Sequence, residues 1–341
     1  MSTPEPGLVS VIIPCHNSAK TIAFSVRSAL SQTYPRVEVI VVDDASTDST
    51  PQIVKSLGCT LVGLATNIGA GPARNRGITA SRGEILFFLD SDVALAPDAV
   101  GNAVRILRDE PSYGAVWGVY GDRPLVDDGV VEQVQVLYGH YRATRKLGAA
   151  RTGHFASGAV PRRVVEEIGA FDERLRGQYA NEDHEFSLRI AEHYPVVRTL
   201  SVVGYHDDDD RMSSVLHKLF KRAGSLVPLI LHQRGLKPEK EATHRPAEIA
   251  SAFLAVVSLP GVLVSPWLAA VPIACVAWFV AAELPVLRYV RRQAGWRLVP
   301  ATVALSFAYG LAISAGALVG GARYALDARF RRRYRRPAAA L

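Results

Sequence analysis

Two stretches of this chain leave little freedom in where it can fold. Residues 247 to 287 contain no charged side chain except Glu248 and Glu283, and residues 298 to 322 contain none. Apolar runs of this length belong in a bilayer. One helix over residues 249 to 282 would be about 50 Å long at 1.5 Å per residue, well past a hydrocarbon core of about 30 Å. Pro260-Gly261 and Ser265-Pro266 offer turns, so the spacing predicts a hairpin over 249–264 and 267–287, followed by a third span over 298–322. Residues 288–297 carry four arginines and residues 323–336 carry seven, so a single span between them puts one group on the wrong side under the positive-inside rule. Length argues for three spans and charge for two.

The formal net charge is +7, from 39 Lys+Arg against 32 Asp+Glu over 341 residues. A basic chain raises nucleic-acid binding as a first reading. The excess, however, is local: residues 247–341 hold 11 basic and 3 acidic side chains, against 28 and 29 in the rest. Arginines that border apolar spans point to a membrane and to no nucleic acid. Cys15, Cys59 and Cys275 show no C-x-x-C pairing, so neither a disulfide framework nor a zinc site is indicated. The N-terminal residues lack the basic segment of a secretory signal. A multi-pass cell-membrane protein with a cytoplasmic N-terminal domain is expected.

Residues 211–235 place Leu216, Leu219, Phe220 and Val227 on one helical face, with Arg211, Lys218, Lys221 and Arg222 elsewhere. This reads as a basic amphipathic helix on an anionic membrane surface. The expected organisation is a domain over 8–210, an interfacial helix and linker over 211–246, spans within 247–322, and a basic tail over 323–341. From residue 8 to about 205, short β-branched runs alternate with amphipathic stretches. That pattern predicts an α/β fold with a mostly parallel sheet flanked by helices. Strands are expected at 9–14, 37–43, 59–64, 84–90 and 113–119. The first helix, over 19–33, carries Ile22, Val26, Ala29 and Leu30 on one face.

Open α/β sheets bind ligands at the carboxyl ends of their strands. Here those ends read Pro14-Cys15-His16-Asn17, Asp43-Asp44-Ala45-Ser46-Thr47-Asp48 and Asp90-Ser91-Asp92. Carboxylates one residue apart can share a divalent cation that neutralises a bound diphosphate. The same residues could instead form Asx turns or cap the next helix. Gly69-Ala70-Gly71-Pro72-Ala73-Arg74 has Arg74 at the third glycine position of the dinucleotide fingerprint and does not follow the first strand, which argues against a Rossmann dehydrogenase. It sets Arg74 and Asn75 at a helix start, where either could reach a phosphate or a neighbouring strand end.

The order of these motifs resembles the family 2 glycosyltransferases of GT-A fold. The residues that carry it are Val11 to Asn17, Val41 to Asp48, Asn67-Ile68-Gly69 with Ala73-Arg74-Asn75-Arg76-Gly77, Leu89 to Asp92, and Gly169-Ala170-Phe171-Asp172-Glu173 leading to Asn181-Glu182-Asp183. The resemblance implies nucleotide binding by Pro14, Asn17, Asp43 and Asp44, with Arg74 and Asp90 beside them. It implies that Asp90 and Asp92 hold Mg²⁺ or Mn²⁺ on the diphosphate, and that Asp183 is the general base. His206 stands where some relatives place a third metal ligand. The Asp run over 207–210 reads as a solvated loop. The Q-x-x-R-W signature of processive synthases is absent after Asp183, which favours a single transfer.

The expected donor is a UDP-, GDP- or dTDP-linked sugar, and the expected acceptor a lipid-linked or other glycan. Metal as Lewis acid would stabilise the leaving diphosphate, and a carboxylate on the opposite face of the sugar would take the acceptor proton, giving inversion. A nucleotidyltransferase on a similar sheet, or a membrane scaffold that keeps the fold without activity, are the other readings of the same residues.

Overall fold

The computed structural model describes residues 4–175, 181–232 and 246–332. The chain divides into two units, one of residues 1–127 with 143–208 and one of residues 128–142 with 209–341. Residues 233–245 of the interfacial helix and linker expected over 211–246, and residues 333–341 of the basic tail, lie outside the described residues.

The first unit opens as a run of βα repeats: β1 (Glu5–Cys15), α1 (Ile22–Leu30), β2 (Val37–Asp43), α2 (Thr50–Ser56), β3 (Thr60–Gly63), α3 (Ala70–Ala80) and β4 (Gly83–Leu89). These four strands are parallel, in the order β3-β2-β1-β4. Period-2 alternation explains why the sheet is covered on both faces. Val9, Val11 and Ile13 of β1, with Ile85, Phe87 and Leu89 of β4, pack with Ile22, Val26 and Ala29 of α1. Ile12, Leu86 and Phe88 point the other way, into a cluster with Trp117, Phe155, Phe171 and Phe186. Each such fully buried side chain contributes about 1.5–3 kcal/mol. Leu30, expected on the buried face of α1, is exposed, because the helix ends there and the chain turns toward β2.

The remaining strands make the sheet mixed. After β5 (Val93–Leu95) and α4 (Ala99–Asp109) come β6 (Ala115–Tyr120), α5 (Val130–Thr144), β7 (Gly148–Ala150), β8 (Ser157–Pro161), α6 (Arg162–Ile168), α7 (Glu182–His193) and β9 (Val196–His206). β8 is antiparallel to both β4 and β6, and β6 is parallel to β9, which β5 extends antiparallel. The carboxyl ends of β6 and β9 therefore reach the same edge of the sheet.

The second unit is helical and contains α5 together with α8 (Met212–His232), α9 (Pro246–Val257), α10 (Leu259–Val264), α11 (Ala270–Ala294), α12 (Val299–Leu326) and α13 (Ala328–Arg332). Among the described residues three helical runs are long and apolar enough to cross a membrane: Ala247–Val264, Pro266–Ala294 and Trp296–Leu326. The chain turns at Ser265-Pro266. Pro260 sits instead in the first turn of α10, where its missing N–H removes no helical bond.

Two features hold this unit together. A Cβ added at Gly316 would lie 2.2 Å from the Phe220 carbonyl oxygen, and one at Gly320 would lie 2.2 Å from that of Gly224. The Gly-x-x-x-Gly spacing thus brings the backbones of α8 and α12 into contact. Second, α5 packs Val134, Leu137 and Tyr138 against Val215, Val286, Val290, Leu305 and Tyr309. At its end Arg142 donates to Glu248 at 3.0 Å and to Glu283 at 2.9 Å. The two acids that interrupt the apolar run over 247–287 are both partners of one arginine.

Candidate active site

The strand-end motifs converge on one edge of the sheet, and the backbone is unusual at two of them and at the start of α7. Among the described residues the non-glycine positions with positive φ are Asn17 (51°), Ala45 (60°) and Asn181 (57°). A non-glycine residue in this region carries a strain of about 1–3 kcal/mol, and such strain gathers at functional sites. Asn17 is tied down by its surroundings: its N–H donates to Ser46 Oγ at 2.9 Å and its side-chain oxygen accepts from the Thr47 N–H at 2.8 Å. His16 Nδ1 lies 2.8 Å from the Asp44 carbonyl.

The Asp43-Asp44 pair divides its labour. Asp44 accepts from the Ile68 and Gly69 N–H groups, each at 2.8 Å, and so anchors the loop that leads into α3. Asp43 ends β2 buried at the strand end and accepts from the Ser46 N–H at 3.3 Å. Asp48 binds the Thr50 and Ala19 N–H groups at 2.9 and 3.1 Å, the turn-and-cap role that short acids commonly take. Pro14 is paired with Val42 across β1 and β2, which places it beside Asp43. Burial pushes the Cys15 thiol up, and Asp43, Asp48 and Asp44 add to that.

Arg74 reaches a strand end. Its guanidinium is 5% exposed and donates to Asp90 Oδ1 at 2.7 Å and to Glu182 Oε1 at 3.1 Å. Burial works against the charge, but Asp90 and Glu182 outweigh it and hold Arg74 above the usual arginine range. One side chain thus ties the Asp90-Ser91-Asp92 loop to the first turn of α7, next to Asp183. Asp183 itself accepts from the His184 N–H at 2.8 Å, and Phe186 and Ile190 bury the inner face of α7 as the spacing predicts. Asn75 binds the Phe171 carbonyl at 2.9 Å and Glu173 at 3.2 Å, so its role is to fasten α3 to the segment before α7.

Across the loop, Asp92 Oδ2 lies 3.4 Å from His206 Nε2, and Asp208 Oδ2 lies 3.6 Å from His206 Nδ1. Burial alone would lower the proton affinity of His206, but Asp92 and Asp208 push it up to about 10. The run over 207–210 is a solvated loop only at Asp210, which is exposed. Asp207 pairs with Lys20 at 2.9 Å, Asp208 faces His206, and Asp209 pairs with Lys218 at 2.9 Å. Cations and one imidazole engage three carboxylates that a composition argument leaves to water.

Among the described residues no three His, Cys, Asp or Glu side chains are arranged to hold a metal ion by themselves. Asp92 and His206 nevertheless set an oxygen beside a ring nitrogen that becomes a donor once an incoming cation displaces its proton. Cations that work on phosphates commonly take one or two protein ligands and complete their shell with phosphate oxygens and water. The pair fits that chemistry, with Asp90 engaged by Arg74 and close behind. Lys20 carried no signal in the sequence, and Glu182 stood there only as part of a motif, because each gains its role through a partner distant in the chain.

Residues 10–169 match the family model described as Glycosyl transferase family 2. The succinoglycan biosynthesis protein ExoO of Rhizobium meliloti is 44% identical over 100 residues, 28% of this chain and 29% of that protein. The UDP-Glc:alpha-D-GlcNAc-diphosphoundecaprenol beta-1,3-glucosyltransferase WfaP of Escherichia coli is 34% identical over 126 residues, 36% of this chain. The chain spans 29% and 50% of the lengths of these two relatives. Among solved structures, the mannosyltransferase PcManGT from Pyrobaculum calidifontis, in complex with GDP-Man and Mn²⁺, superposes with a TM-score of 0.57 at 26% identity, covering 91% of this chain and 86% of that one. Together with the sheet order and the motifs on its edge, these likenesses identify residues 10–169 as a glycosyl transferase family 2 region on a GT-A fold.

Proposed function

We propose that this chain is an inverting, metal-dependent glycosyltransferase that moves a sugar from a UDP-, GDP- or dTDP-linked donor to a lipid-linked acceptor at the cytoplasmic face of a cell membrane. The observation that carries the reading is the bridge made by Arg74, which joins the Asp90-Ser91-Asp92 loop to Glu182 beside Asp183. A loop suited to the leaving diphosphate and a carboxylate suited to the acceptor are thereby held by one buried cation. The donor class is supported by PcManGT, solved with GDP-Man and Mn²⁺. The acceptor class is supported by the three membrane-length helices and by WfaP, whose name records a diphosphoundecaprenol-linked sugar. Cytoplasmic placement is in keeping with free Cys15, Cys59 and Cys275.

In this reading Asp43 and the Asn17 loop receive the nucleotide at the ends of β1 and β2. Asp92 and His206 would hold Mg²⁺ or Mn²⁺, with Asp90 behind them, and the cation would supply Lewis-acid stabilisation of the departing diphosphate. Arg74 keeps Asp90 fixed and does not itself grip phosphate. Asp183 takes the proton from the acceptor hydroxyl as that oxygen attacks the anomeric carbon from the face opposite the diphosphate, so the configuration inverts. A phosphate acceptor is already anionic and needs no base; the placement of Asp183 at the start of α7 favours a hydroxyl on a lipid-linked sugar.

Thermal shift of the full-length protein in detergent tests the reading. UDP, GDP or dTDP together with Mn²⁺ is expected to raise the melting temperature beyond either component alone, since a ligand at about 100 times its Kd adds about 2.7 kcal/mol. Stabilisation by nucleoside triphosphates only, with release of pyrophosphate, would move the assignment to nucleotidyl transfer.

A further inference from the structure

Three rings form one column at the edge of the sheet. Tyr120 lies between His154 and His206, with ring centroids 4.7 and 4.6 Å away and interplanar angles of 19° and 13°. The strand register builds half of this. Tyr120 ends β6 opposite Gly204 of β9, so His206, two residues further on, presents its ring to the same face. The loop before β8 builds the other half. A Cβ on Gly153 would lie 2.3 Å from the Trp117 ring, so only glycine lets the chain run flat over the indole and deliver His154 to the far side of Tyr120. None of these contacts is used by the mechanism above.

We propose that Tyr120 and His154 are positioning residues that fix the ring plane of His206 and thereby preorganise the cation site. The inference rests on the reading that Asp92 and His206 hold the metal. A histidine ring rotates about a broad, two-fold torsion unless packing restrains it. A site that draws only two donors from the protein depends strongly on each being aimed before the ion arrives. Stacking on Tyr120 covers one face of His206 and leaves its edge, with Nε2 3.4 Å from Asp92, directed at that ion.

The test is Mn²⁺ titration of the full-length protein in detergent, with GDP and separately with UDP present, read by electron paramagnetic resonance of free Mn²⁺. Tyr120→Leu is expected to weaken Mn²⁺ by about 10–100-fold, the usual cost of losing a group that orients a ligand. Tyr120→Phe keeps the ring and is expected to keep the affinity. In a His206→Ala background Tyr120→Leu should change nothing further, because its effect passes through His206. Wild-type affinity in Tyr120→Leu, or an equal loss in the His206→Ala background, overturns the proposal. If His206→Ala binds Mn²⁺ as wild type does, the metal-site reading falls and this inference with it. If His206→Ala weakens binding and Tyr120→Leu does not, only the inference falls. Should Tyr120→Leu fail to fold, His154→Leu and His154→Phe carry the same comparison.

Discussion

Arg74 and Arg142 each sit between two carboxylates, yet the two clusters are built opposite ways round. In the sheet unit the Arg74 side chain is 5% exposed while its partner Asp90 is 33% exposed. In the helical unit the acids are hidden, with Glu248 at 5% and Glu283 at 2%, and Arg142 is the more open at 13%. A buried arginine with an acid left partly open organises carboxylates that still have something to bind. An arginine over two buried acids closes a lock, since ions inside an apolar helical unit are tolerated only as partners of one another. The same triad of charges thus serves a site in one region and helix docking in the other.

That contrast can be broken in several ways. The largest effect is expected from Asp183→Asn, which should lower sugar transfer by about 10²–10⁴-fold, the contribution of a positioned base. Its melting temperature should stay near wild type, and near-normal turnover would remove Asp183 from the chemistry. Replacing Asp92 by Ala, or removing divalent cations with EDTA, should lower nucleoside diphosphate release by several kcal/mol of barrier, about 10²–10³-fold. Next comes the direct comparison. Arg142→Met strands two buried carboxylates and should destabilise the protein by about 3–5 kcal/mol in a detergent melt. Arg74→Met leaves Asp90 partly solvated, so it should destabilise less and cut transfer more. Equal stability losses in the two variants would erase the distinction between site and lock. Smallest, Gly320→Ala should separate α8 from α12 at a cost of about 1–3 kcal/mol, read as a lower melting temperature.

The elements visible in the sequence are those whose signals are local. The βα repeats, the acidic strand ends and the apolar runs each declare themselves within a dozen residues, and β2 falls where its β-branched run puts it. What was hidden depends on pairing across the chain. The role of Glu182 depends on Arg74, 108 positions earlier. Tyr120 and His154 meet His206 only through the parallel pairing of β6 with β9 and the passage of Gly153 over Trp117. α5 lies between two strands along the chain, and only its contacts reveal that it belongs with the C-terminal helices. Glu248 and Glu283 were visible as exceptions in an apolar run, but their cause, Arg142, lies more than a hundred residues away.

The central claim is tested most directly by product analysis. Full-length protein in lipid nanodiscs would be given UDP-, GDP- and dTDP-linked sugars in turn, with Mn²⁺ and a lipid-linked sugar acceptor. The account predicts that one donor releases its nucleoside diphosphate in step with a new glycosidic bond of inverted configuration, and that Asp92→Ala lowers both by about 10²–10³-fold. Retained configuration, or equal product from the Asp92→Ala protein, would contradict it.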